Sequence, residues 1–201
     1  LSVLADSNRL GPTFLQLAPS FSFAYFPQLS AFLRQLPSTW PWAVEVRHPE
    51  WFDQGDKESR LNDLLQELGI DRVLFDSRPL NSMSASDETE VTSQTRKAKS
   101  PFRTTITGRR PMLRLIGRND AAEVTSYWEW WSEQIANWIR EGYQPWIFTH
   151  APADAFAPGL ARLLHEMIRL HLPALPSLPS WNELAPPAES TNNELKQLRL
   201  F

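Results

Sequence analysis

Residues 42–52 read Trp-Ala-Val-Glu-Val-Arg-His-Pro-Glu-Trp-Phe, and the fold of the chain follows from how this stretch is read. Ala43 to Val46 alternates as a β-strand does, so Val44 and Val46 point to one side while Glu45 and Arg47 point to the other. Two charges on one face of a buried strand are costly unless they satisfy each other or line a polar cavity. His48-Pro49 ends the strand, and Trp51-Phe52 supplies aromatic surface directly after it. The polar residues therefore gather at the strand's C-terminal end.

The same order recurs on either side. Thr13 to Ala18 is a short apolar run between Gly11-Pro12 and Pro19, and it reads as a buried strand. A helix is expected from Pro27, with Leu29, Phe32, Leu33 and Leu36 at helical spacing and Pro37 as its stop. After the 43–47 strand, Leu61, Leu64, Leu65 and Leu68 form a helical stripe closed by Gly69. A third strand covers 72–75 and ends in Asp76. A fourth, 112–116, carries Arg114 and is followed by Gly117-Arg118. Asp120 to Glu123 reads as a capping box opening a helix with Val124, Tyr127, Trp128, Trp131, Ile135, Trp138 and Ile139 on one side. At that spacing the tryptophans are core residues rather than a ligand platform. A fifth strand, 145–149, precedes His150, and a last helix begins near Pro158.

Five strands, each followed by a helix, give an α/β fold with a parallel sheet covered by helices. No Gly-x-Gly-x-x-Gly follows a strand and no Gly-x-x-x-x-Gly-Lys is present, which disfavours nucleotide-binding sheets and favours a barrel of the triosephosphate isomerase type. The domain is expected over 1–171, interrupted by a polar insertion at 77–111 that has almost no apolar periodicity and reads as a solvated, partly disordered loop. Its basic runs, Arg96-Lys97-Ala98-Lys99 and Arg109-Arg110, suit phosphate contact, although short clusters of this kind are more often just solvated. Residues 172–201 are Pro-rich and read as an extended tail.

Composition narrows the function. A net charge of −3 gives no general case for nucleic acid or an anionic membrane, so direct nucleic-acid binding is not indicated. No apolar run approaches a membrane span. The absence of cysteine excludes thiolate chemistry and disulfides and suits the cytoplasm. No His-x-His or His-Glu-x-x-His spacing suggests a metal, and nothing points to a cofactor.

Gly11 to Phe21, GPTFLQLAPSF, and Ala43 to Phe52, AVEVRHPEWF, resemble the YecE-like family of unknown function. Arg114-Leu115-Ile116-Gly117 and Thr149-His150-Ala151-Pro152 agree with one branch of that family. The resemblance implies a TIM-type barrel whose relatives begin with about three more strand-helix units. Their Gly-Thr-Ser-Gly-Trp-type opening is absent here, so a fragment lacking the first barrel strands is expected.

Barrel active sites lie at strand C-termini, which selects Gln16, Glu45, Arg47, His48, Asp76, Arg114, Arg118 and His150, with Trp51 beside them. Glu45, Asp76 and His48 suit acid or base chemistry. Gln16, Arg47, Trp51, Arg114, Arg118 and His150 suit the binding of a small carboxylate or phosphate. The competing reading makes Glu45, Arg47, Asp76 and Arg114 an internal ion network that stiffens the barrel. A separate expectation concerns Gln197-Leu198-Arg199-Leu200-Phe201, which resembles the peptide by which bacterial replication and repair proteins dock on the DNA sliding clamp. Gln197 would bond the pocket rim, and Leu198, Leu200 and Phe201 would fill an apolar cleft.

Overall fold

Period-two alternation in five short apolar segments produces five parallel strands: β1 (Thr13–Gln16), β2 (Trp42–Glu45), β3 (Asp71–Asp76), β4 (Met112–Ile116) and β5 (Trp146–His150). The computed structural model describes residues 1–180. Its sheet runs in chain order, β1-β2-β3-β4-β5, with every pairing parallel. That order is the barrel progression, and the sheet curls far enough for the Trp146 ring to approach the backbone at Gly11, beside the opposite edge. β1 and β5 are not paired with each other, so the five units form part of a barrel wall.

Helices α1 (Ser2–Asp6), α2 (Phe26–Leu33), α3 (Asp56–Leu68), α4 (Arg78–Asn81), α5 (Glu88–Arg96), α6 (Thr125–Arg140) and α7 (Ala157–His171) complete the described chain. Helix α3 stops where expected, because Gly69 takes a left-handed conformation (φ +64°) that a residue with a Cβ adopts at a cost. The outer face of the sheet packs on the helices in two clusters. One joins Leu113 and Leu115 to Trp128, Trp131, Ile135 and Leu164, which puts the tryptophan stripe of α6 in the core. The other joins Val44 and Val46 to Trp51, Leu61 and Leu65. Burying three nearly inaccessible tryptophans is worth several kcal/mol at roughly 25 cal/mol per Å² of apolar surface.

Three expectations need correction. β1 is not buried on both faces: Phe14 and Gln16 are exposed on the concave side, because no strand follows β1 at that edge. Phe32 of α2 is about half exposed, so the apolar stripe there is narrower than its spacing suggests. The 77–111 segment is structured: it forms α4 and α5, and its last part is fastened by side chains of its own. Thr107 Oγ1 donates to the Ile70 carbonyl at 2.7 Å and accepts from the Arg72 backbone N–H at 2.7 Å. The Arg110 backbone N–H donates to the Asp71 carboxylate at 3.0 Å. These hydrogen bonds replace apolar packing, which is why no hydrophobic period marks the segment.

Residues 172–180 run back along α7. Arg169 Nε donates to the Leu175 carbonyl, His165 Nε2 bonds the Pro176 carbonyl at 2.8 Å, and Leu178 lines a small cavity with Ile147, Thr149 and Leu164. The Gln197 to Phe201 peptide lies outside the described residues.

Candidate functional site

Strand alternation sorts the selected residues before any chemistry is considered. Gln16 faces Glu45 across the β1–β2 pair, and Arg114 faces Phe75 and Phe148 across β3 and β5. On the concave side, Glu45 is almost fully buried and accepts from three side chains. Gln16 Nε2 donates to its Oε1 at 2.9 Å, Arg47 Nε to Oε1 at 2.9 Å, and Arg114 Nη1 to Oε2 at 2.5 Å. The Arg114 guanidinium also lies over the Phe14 and Phe75 rings, 5.6 and 5.7 Å from their centroids. One carboxylate thus holds two arginines in fixed positions, with aromatic faces supporting one of them.

His150 stands at the C-terminal end of β5, beside Ile116 of β4. Its Nε2 is buried with no hydrogen-bond partner among the described residues. Burial first, then the positive charges of Arg114 and Lys97, hold the imidazole below its ordinary pKa, while Asp154 and Glu45 oppose them. The ring therefore senses charges from β2, β4, α5's end and the β5–α7 turn together.

The remaining predicted residues sit elsewhere. Asp76 is on the other face of its strand: as its neighbour Phe75 turns inward, Asp76 turns to the helices, where it accepts from Trp131 Nε1 at 2.9 Å and from Arg78 Nη2 at 2.8 Å. It does not join Glu45. Arg118 is sealed, 1% exposed, between Glu90 (2.5 Å) and Glu123 (2.6 Å), so its charge is already matched. Trp51 is fully buried and donates to the Phe21 carbonyl at 2.7 Å; it presents no surface to a ligand. His48 Nδ1 accepts the Glu50 backbone N–H at 3.2 Å and so caps the short turn Pro49–Phe52. These four sit near strand ends in sequence, but packing commits each of them to a structural partner.

The other side of the mouth comes from the polar segment. Ala98 packs against Phe75, Leu80 and Ile116, and its carbonyl accepts from Ser77 Oγ at 3.1 Å. Anchoring Ala98 leaves Lys97 and Lys99 on either side of it, with Arg96 at the end of α5. A cavity of about 280 Å³ is lined by Arg47, Arg96 and Lys99 together with Pro19, Pro49 and Pro101, and among the described residues no acidic side chain lines it. A second, of about 560 Å³, shares Arg96 and extends past Lys97 to Pro152 and Asp154. The sequence carried the signal for this wall in its Arg-Lys-x-Lys run at 96–99, yet a charge cluster alone does not say what it faces.

Two further ionic clusters lie away from the mouth and were missed in the sequence. Glu58 of α3 accepts from Arg72 Nη1 at 2.9 Å and from Arg103 Nε at 2.8 Å. Both arginines complete their bonding on carbonyls, Arg72 to Trp51 and Arg103 to Phe52 and Phe102. The other is the Glu90–Arg118–Glu123 group described above. Among the described residues no cluster of His, Asp and Glu is arranged to hold a metal ion, and no helix is long and apolar enough to cross a membrane.

Comparison with known proteins agrees with this architecture. The chain is 35% identical over 179 residues to the UPF0759 protein YecE of Escherichia coli K12, and 34% identical over 179 residues to that of Escherichia coli O157:H7. Each alignment takes in 88% of this chain and 65% of the relative, so the chain spans just under two thirds of the length of these proteins. Two crystal structures of a DUF72 family protein from Enterococcus faecalis V583 superpose with TM-scores of 0.56 and 0.55 at 18% and 14% identity. They cover 86% and 89% of this chain and 64% and 65% of the compared chains, and at that identity they speak for the fold. The model of the family described as "Protein of unknown function DUF72" matches residues 1–183, and the chain belongs to this YecE-like family.

Proposed function

We propose that the protein binds a small anion, a phosphate or carboxylate group, at the C-terminal mouth of its barrel wall. The observation that carries this reading is the 280 Å³ cavity lined by Arg47, Arg96 and Lys99 and, among the described residues, by no acidic side chain. Arg47 gives its Nε to Glu45; its terminal nitrogens carry no hydrogen bond among the described residues. In a chain of net charge −3, three cations around one cavity concentrate positive potential where a ligand of opposite sign gains most. Glu45 acts here as a positioning group, because its two oxygens already serve Gln16, Arg47 and Arg114. We place this binding in the cytoplasm, in keeping with a chain that has no cysteine.

Thermal denaturation with inorganic phosphate tests the reading. At about 10 mM phosphate a site of millimolar affinity adds about 1.4 kcal/mol of stability to the wild type. Arg47→Ala combined with Lys99→Ala is expected to remove that gain while leaving the protein folded. A wild type that phosphate does not stabilise, or a double variant stabilised as strongly, refutes the site.

A second reading rests on Gln197-Leu198-Arg199-Leu200-Phe201, whose pattern supports docking on the DNA sliding clamp. A labelled peptide of residues 190–201 is expected to bind purified clamp, and to lose binding when Leu200→Ala and Phe201→Ala are combined. No binding at high micromolar clamp removes this reading.

A further inference from the structure

The two cavities at the mouth share Arg96, yet their linings differ in sign. Among the described residues the charged lining of the smaller is Arg47, Arg96 and Lys99, whereas the larger is lined by Arg96 and Lys97 and also by Glu88 and Asp154, with Thr89 and Thr92. Glu88 opens α5, and Arg96 closes it two turns later on the same face, since eight residues are close to two and a quarter helical turns. Opposite charges lining one small surface usually pair. Among the described residues, neither Glu88 nor Asp154 makes a salt bridge, and neither do Arg96, Lys97 and Lys99. Glu88 and Arg96 stand at opposite ends of α5, roughly 12 Å apart along its axis at 1.5 Å per residue, and Asp154 lies in the turn before α7. The result is a groove along α5 from Glu88 to Arg96 that carries charges of both signs with no salt bridge between them among the described residues.

We infer that the groove takes an elongated ligand of two charges: an anionic head on Arg47, Arg96 and Lys99, and a cationic amine at the other end, against Glu88 and Asp154. This rests on the anion site proposed above and adds the class of molecule, a phosphorylated or carboxylated amine. Volumes of 280 and 560 Å³ fall in the range of small-molecule sites, roughly 300–1,000 Å³, when the two are filled together. A plain anion uses only the smaller cavity. A plain amine meets Arg96 and Lys97 in the larger one and is repelled. A molecule carrying both charges satisfies both ends, so its two groups bind more tightly joined than apart.

His150 precedes Ala151 of the larger cavity's lining, and Lys97, Asp154, Arg114 and Glu45 all act on its charge. Its imidazole offers a local reporter outside the substituted pair, whose own pKa falls when the Asp154 charge is removed.

The test is a calorimetric titration of the full chain with inorganic phosphate, hexyl phosphate, and 2-aminoethyl, 4-aminobutyl and 6-aminohexyl phosphate, with the His150 ring signals followed by NMR. At least one aminoalkyl phosphate is expected to bind about tenfold tighter than hexyl phosphate, the gain that two partly exposed ion pairs supply. Glu88→Gln combined with Asp154→Asn is expected to abolish that gain and to leave phosphate and hexyl phosphate bound equally well or better. Both substituted residues are exposed, so the fold is retained. If phosphate and hexyl phosphate bind but no amine adds affinity, or the gain survives in the double variant, the two-ended groove is refuted while the anion site stands. If phosphate itself fails to bind, both are refuted.

Discussion

Two groups of charges share the same residue types and behave differently. At the mouth, Glu45 serves two arginines and a glutamine, and two more cations, Arg96 and Lys99, line the cavity without carboxylate partners among the described residues. Behind the sheet, Glu58 also serves two arginines, but every remaining bond of Arg72 goes to Asn62 or to the Trp51 carbonyl, and both partners are nearly inaccessible. The difference shows that an arginine on a buried carboxylate is not by itself a sign of a site. What separates a site from a brace is surplus: charge left over after the protein has satisfied its own groups, and facing a space a ligand can enter. By that measure Arg118, with Glu90 and Glu123 around it, belongs to the brace, and Arg47 belongs to the proposed anion site.

The largest effect tests the brace. Arg72→Leu leaves Glu58 buried with half its compensation and the Trp51 carbonyl without its donor, and is expected to cost about 3–5 kcal/mol in urea denaturation, the range for breaking a buried pair. That is a large fraction of the roughly 5–15 kcal/mol that holds a domain of this kind together. Arg47→Ala removes a side chain that is 27% exposed and leaves Glu45 its bonds to Arg114 and Gln16, so about 1 kcal/mol is expected. The comparison is broken if Arg47→Ala destabilises as much as Arg72→Leu and leaves phosphate binding intact, because the mouth would then be a brace as well.

How far the sequence could show this depends on range. Alternation in Ala43 to Val46 and the polar residues after each strand were local, and they located the five strands and the concave placement of Glu45 and Arg47. The same rule misplaced Asp76, because a strand end marks the right height in a barrel without saying which face a residue takes; Trp131, 55 positions away, decides that. Arg118 and Trp51 also carried the right types at the right heights, but their partners Glu90 and Phe21 come from other elements. The segment 77–111 was least legible, since Thr107, Arg103 and Ala98 fasten it through single contacts to distant residues and leave no period to read.

The smallest expected effect sharpens the contrast at one ring. His150 is held below its ordinary pKa by burial and by Arg114 and Lys97, so the folded protein resists a proton that the unfolded chain accepts near pH 6.5. Stability is therefore greatest from this group above about pH 6.5 and falls as pH is lowered through the folded pKa, after which it levels off. Asp71, pushed up to about 6 by burial, runs the other way: the folded state holds its proton where the unfolded chain has lost it, so stability falls as pH rises from about 4 to 6. The two overlap, and the His150 share is isolated as the difference between wild type and His150→Gln, which is expected to favour the wild type more at pH 7.5 than at pH 5. An anion at the mouth opposes Arg114 and Lys97 and must raise the His150 pKa; by linkage, protonated His150 binds the anion more tightly. With sulfate, which does not itself titrate in this range, roughly half a kcal/mol, or about a twofold tightening, is expected as pH falls, the order of magnitude for two charges coupled across a partly solvated mouth. A ring signal that titrates at the same pH with and without saturating sulfate would place the anion out of reach of His150 and move the site away from the mouth.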